Sequence, residues 1–166
     1  DSTVSWTDVT GHAHSFTNST LRTQWENPQG TCFKPTVPQA SGVVIDFTTS
    51  GQWYGGKQLR QVFIKNNGTS GVVVDKIAFT WTNSTEIQQV FFDTTKIWAS
   101  GGPGTPTGTQ VSGTTLDASD FTIAAGQTVP LNKVQFTGAM SGTTVTITLT
   151  FTDGSVADTV PFTPSG

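Results

Sequence analysis

The sequence predicts an all-β protein, a single antiparallel β-sandwich of about nine to twelve short strands. Three observations carry that prediction. Residues that favour helices are scarce: only 11% of the chain is charged and Glu occurs only at positions 26 and 86, whereas Thr is the commonest residue and Gly occurs 18 times. Apolar residues recur at every second position, the period of a strand with one face on a core. Gly, Pro and Asn punctuate the chain at short intervals, as strand-and-turn architectures require. A core is well supplied, since 34% of the residues are hydrophobic, among them 11 Phe and 5 Trp.

Taken in order, residues 1–10 form a polar, β-prone arm (strand Val4–Val9) with Val4 and Trp6 on one face and no tight-turn signal before the next strand, Ala13–Thr17. Leu21–Trp25 is the third short strand. Asn27–Gly42, with three prolines and Cys32, is a long loop. Val43–Thr48 and Leu59–Lys65 read as strands, with a turn-like Gln52-Trp53-Tyr54-Gly55-Gly56 between them. Asn66–Gly71 is dense in turn residues and leads into the alternating strand Val72–Trp81. Ile87–Phe92 and Thr95–Ala99 follow. Ser100–Gly108 has the composition of a linker or loop tip. Asp117 and Asp120 fit a turn, and Phe121–Ala124 and Val129–Phe136 are strands. The clearest alternation is Thr144–Thr152, where Val145, Ile147, Leu149 and Phe151 oppose a row of threonines. Asp153-Gly154 predicts a type I′ hairpin turn, and Pro161 confines the return strand Val156–Phe162 to a sheet edge. The domain organisation expected is therefore an arm, 1–10, and a sandwich, 11–166.

Composition limits the function. The net charge is −3 and the eight basic residues are scattered singly along the chain, which argues against nucleic acid as a partner. No apolar run reaches the length of a membrane helix. No signal-peptide pattern opens the chain, and since a secreted chain freed of its leader would look the same, this does not imply a cytosolic protein. Cys32 is the only cysteine, which excludes an intrachain disulfide and a cysteine-based zinc site. The Thr, Ser, Asn and Gly richness suits an extracellular or cell-surface location. Asn18, Asn67 and Asn83 each head an N-glycosylation triplet.

Chemistry-bearing patterns are few. His12 and His14 are the only histidines, and at i, i+2 on a strand both imidazoles would share a face and could hold copper or zinc; no third ligand is evident from spacing. There is no Gly-x-Ser-x-Gly elbow and no cysteine-protease motif, and Asp117 and Asp120 are better read as turn residues than as paired glycosidase acids. An enzyme is not expected, nor is any cofactor. Aromatics are the stronger hint. Trp81 and Trp98 belong in the core, while Trp53, Tyr54 and Trp25 are candidates to stack on a glycan or a partner protein.

Lys76-Ile77-Ala78-Phe79-Thr80-Trp81, Thr95-Lys96-Ile97-Trp98, the Ala125-Gly126 turn and Thr146–Gly154 follow one another in an order that resembles a bacterial surface domain of pilus-associated and pilin-like proteins. The resemblance covers residues 72–162 and implies an extracellular structural or adhesive module. The chain departs from pilins in lacking their apolar assembly helix, which points to strand donation as its route of assembly. The function expected is thus that of a surface-filament subunit assembled head to tail. The arm either pairs as the first strand of its own sandwich or inserts into a neighbouring subunit, in which case Val4, Trp6 and Val9 would make the contact. The alternatives are a carbohydrate-binding or adhesive module, contacting a polysaccharide or cell surface, and a histidine-dependent metal protein.

Overall fold

The computed structural model describes residues 2–18, 36–48 and 51–166, the side chains of 2 and 16–18 excepted. The expected strand Leu21–Trp25 and Cys32 lie outside the described residues. The chain divides into two units, Asp1–Val37 and Pro38–Gly166. This boundary differs from the one expected after residue 10, because the arm finds its pairing partner in the strand that follows it.

In the first unit, β1 (Ser2–Thr7) pairs antiparallel with β2 (Ala13–Asn18), from Ser2↔Asn18 to Thr7↔Ala13. A tight connection does link them, contrary to the sequence reading. Asp8 N donates to the His12 carbonyl at 2.9 Å, Gly11 N donates to the Asp8 carbonyl at 3.0 Å, and Gly11 takes φ +85°. The strand ends at Thr7 because the Asp8 carboxylate turns back onto its own loop.

In the second unit, a short 3-10 turn (Gln39–Gly42) opens onto the sandwich. Its strands are β3 (Val43–Asp46), β4 (Gln52–Tyr54), β5 (Gln58–Arg60), β6 (Val62–Asn66), β7 (Val72–Trp81), β8 (Ile87–Phe92), β9 (Thr95–Ala99), β10 (Thr115–Ile123), β11 (Thr128–Phe136), β12 (Val145–Phe151) and β13 (Val156–Asp158). One sheet runs β10-β7-β12-β13. The other runs β3-β6-β11-β5-β4, with β8 on the opposite edge of β11 and β9 outside β8. Every strand pair is antiparallel.

The two sheets face each other across one apolar cluster. Ile77, Phe79, Ile147, Leu149 and Phe151 enter it from the smaller sheet, and Ile64, Val90, Phe92, Leu131 and Val134 from the larger. Aromatic rings bridge the layers edge to face: Phe92 meets Phe121 at 5.2 Å and Trp81 meets Phe136 at 5.1 Å between centroids. All described members of this cluster come from the second unit. The all-β sandwich predicted by the alternation is the fold observed.

Four local readings are corrected. The expected strand Leu59–Lys65 is broken at Gln61, whose φ is +58°, into β5 and β6. The Asp153-Gly154 turn is not type I′: only Gly154 has positive φ (+80°). Gly154 N donates to the Phe151 carbonyl at 2.8 Å and Phe151 N to Ser155 at 2.9 Å, a three-residue loop closed by glycine. Asp117 and Asp120 lie within β10, which pairs with β7 around a bulge between Asp117 and Phe121. Ser100–Gly108 is no free linker. Ala99 N donates to Pro103, Gly108 N to Ser100, and Thr105 exchanges both backbone bonds with Asp117. Gly104 in this loop is pressed against Trp98, so that a Cβ there would lie 2.6 Å from the indole ring.

A buried asparagine organises the turn before β7. Asn66 Nδ2 donates to the carbonyls of Ser70, Ile123 and Ala124 at 2.9–3.1 Å, while Oδ1 accepts from Gly68 N at 3.0 Å. Its amide is fully satisfied, as burial of a polar group demands.

Candidate functional site

Two surfaces collect the candidate residues, one in each unit. The first is the β1–β2 ribbon. Its centre is Asp8, whose Oδ1 accepts from Thr10 N (2.8 Å), Thr10 Oγ1 (2.6 Å) and His12 N (3.0 Å). Asp8 Oδ2 lies 3.0 Å from His14 Nε2. These donors, the Thr10 hydroxyl first and the His14 ring next, hold the Asp8 carboxyl well below the usual carboxylate range. Because the Thr10 proton goes to Asp8, His12 Nδ1 donates to Thr10 Oγ1 at 2.8 Å.

Both imidazoles thus approach the Asp8 carboxylate, His14 directly and His12 Nδ1 at 3.8 Å from Oδ1. His14 also stacks on Trp6, with ring centroids 5.5 Å apart, across the register pair Trp6↔His14. Among the described residues no group of three or more His, Cys, Asp and Glu side chains is placed to hold a metal ion. The apolar side chains of the ribbon face solvent: Val4 is 61% exposed, Trp6 52% and Val9 fully. Among the described residues β1 pairs only with β2.

The expected stacking platform is rearranged. Trp53 is only 4% exposed, because β4 is a strand and its alternation turns Gln52 and Tyr54 outward and Trp53 inward, edge-on to Phe136 at 5.7 Å. Trp25 lies outside the described residues, and Tyr54 remains, 61% exposed. Trp81 and Trp98 are buried as expected. Of the glycosylation triplets, Asn18 ends β2, Asn67 is exposed in its turn, and the Asn83 amide donates to the Ala139 carbonyl and Thr143 Oγ1.

The second surface is the outward face of the larger sheet around Tyr54. Cross-strand pairing sets Tyr54, Gln58, Gln135 and Gln89 in one row across β4, β5, β11 and β8. Beside it lie Arg60, Lys133, Phe91 and Lys96, the last three in register across β11, β8 and β9. The Arg60 guanidinium sits 4.2 Å over the Tyr54 ring, and Nε and one Nη donate to Gln58 Oε1 at 2.9 and 2.6 Å. Gln58 in turn donates to Gln135 at 2.7 Å, and Gln135 to the Phe136 carbonyl at 2.9 Å. Lys133 Nζ lies 4.4 Å and Lys96 Nζ 5.7 Å from the Phe91 ring centre. A shallow hollow of about 290 Å³ opens here, lined by Arg60, Phe91, Asp93, Thr94, Asn132 and Lys133.

Three cations scattered along the chain are thus gathered on one face by the strand order. No spacing in the sequence announces this, because Arg60, Lys96 and Lys133 come from three separate strands. Among the described residues none of the three has a carboxylate within 4.0 Å, whereas Lys65 and Lys76 are paired with Asp46 and Asp75. No described helix is long and apolar enough to cross a membrane. Comparison with protein-family models, curated proteins and solved structures finds no match to this chain.

Proposed function

We propose that the chain is a non-enzymatic extracellular structural protein, a subunit of a surface filament joined to its neighbours through β-strands. The observation that carries this reading is the β1–β2 ribbon, which shows Val4, Trp6 and Val9 to solvent while the described core residues of the sandwich all come from 38–166. A two-stranded ribbon is marginal by itself in water and gains from being covered. β1 carries neither Lys nor Pro, the residues with which exposed edges are commonly protected. Addition of β1 to an open sheet edge of the next subunit would bury Val4 and Trp6. Repeated head to tail, that contact builds a fibre. The resemblance of residues 72–162 to pilus-associated surface domains supports the same reading.

The test compares the full chain with the double variant V4D/W6D by light scattering after size exclusion and by negative-stain microscopy. The full chain is expected to form concentration-dependent oligomers or fibres, and the variant monomers with an unchanged sandwich melting transition. A full chain that stays monomeric at every concentration, or fibres indifferent to the two substitutions, overturns the proposal.

A further inference from the structure

We infer that the outward face of the larger sheet binds an acidic sugar, as found in a polyuronate chain, at the hollow between Arg60 and Lys133. This rests on neither the ribbon nor the filament reading.

Arg60 carries the inference. Its guanidinium is fixed from two sides, over Tyr54 and by two hydrogen bonds to Gln58, which is itself held through Gln135. Two of its five N–H groups are thereby used and three remain, with no carboxylate within 4.0 Å among the described residues. An arginine so held loses little freedom on meeting an oxyanion, and its planar fork suits a carboxylate. Lys133 lines the same hollow and Lys96 stands on the other side of Phe91, so cations flank it on a protein whose net charge is −3.

The remaining lining selects the kind of anion. Asp93, Thr94 and Asn132 face the hollow, the first as an acceptor and a negative charge. A polyanion without hydroxyl groups would meet only repulsion at Asp93, whereas a sugar acid sets its carboxylate on Arg60 and Lys133 and offers hydroxyl donors to Asp93 and Thr94. Nucleic acid fits less well. Tyr54 and Phe91 already carry cations over their rings, leaving little open aromatic surface for base stacking, and three cations neutralise few phosphates. A polyglutamate chain offers carboxylates to Arg60 and Lys133 but no hydroxyl donors to Asp93 and Thr94.

The experiment is affinity electrophoresis of the full chain in native gels containing polygalacturonate, neutral dextran, polyphosphate or polyglutamate, at two salt concentrations. Migration is expected to shift with polygalacturonate alone, less so at high salt. The R60Q/K133Q variant should bind about tenfold more weakly, and the K76Q variant, altered on the other sheet, like the unmodified chain. Circular dichroism establishes that each variant is folded, and R60Q alone, expected to bind several-fold more weakly, replaces the double variant should that one unfold. Absence of a shift with polygalacturonate, equal shifts with polyphosphate or polyglutamate, or undiminished binding by the arginine variants overturns the inference.

Discussion

The β1–β2 ribbon and the β12–β13 hairpin share a turn chemistry and differ in what lies beneath them. In each, an aspartate at the head of the connection gathers the backbone N–H and hydroxyl of a residue two positions on, Thr10 for Asp8 and Ser155 for Asp153. In each, a glycine of positive φ completes the reversal, Gly11 at +85° and Gly154 at +80°. Both first strands alternate apolar and hydroxyl residues. Yet Val145, Ile147, Leu149 and Phe151 are buried between two sheets, whereas Val4 and Trp6 stand in solvent. Local chemistry suffices to turn the chain back on itself; stability comes from the apolar surface the strands then bury.

The largest effect should come from emptying the buried side of that comparison. Phe151→Ala removes a ring that is 1% exposed and should cost the sandwich about 3–5 kcal/mol, read by urea denaturation with circular dichroism. Trp6→Ala should leave the same transition unmoved; an equal loss would break the contrast between the two hairpins.

A smaller effect tests what the second hairpin gains from its surroundings. Gln39 accepts from Val73 N at 2.6 Å and donates to Thr152 Oγ1 at 3.0 Å, while its own N–H reaches Asp153 Oδ2 at 2.8 Å. Gln39→Ala should cost about 1 kcal/mol in the same assay, a tie for which the described part of the first ribbon has no counterpart.

The smallest effect is set by pH. Asp8 and Asp153 are both held below the ordinary carboxylate value of 3.8, Asp8 chiefly by the Thr10 hydroxyl and Asp153 by the Ser155 hydroxyl. Depressed carboxylates contribute stability that is complete above that value and is lost as the pH falls through their folded-state values. The amide shift of Ser155 should therefore stay constant from neutrality down to about pH 4 and move only in stronger acid. Movement of that amide near pH 6 would mean that Asp153 is not the group that titrates.

The bounds of β7, β8 and β9 were legible in the sequence to the residue. There the pattern of burial and the pattern of residue types are the same pattern. β4 was hidden because Gly55 and Gly56 mark a turn so strongly that the three extended residues before them read as part of it. The first half of β10 was hidden because Asp117 and Asp120 suit a turn as well as the solvent face of a strand. The Arg60–Lys133–Lys96 face was hidden for a different reason. Its residues become neighbours only through the order in which β5, β11, β8 and β9 lie side by side, and that order is a property of the packed sheets.

Gly104 closes over Trp98, whose indole nitrogen is buried with no hydrogen-bond acceptor among the described residues. The molecule consequently carries an optical gauge of its own loop. An indole in dry surroundings emits at short wavelength and is shielded from quenchers such as acrylamide, while the solvent-facing Trp6 emits further to the red and is quenched at once. Lifting of the Gly104 loop would move light from the first population to the second before any strand had separated.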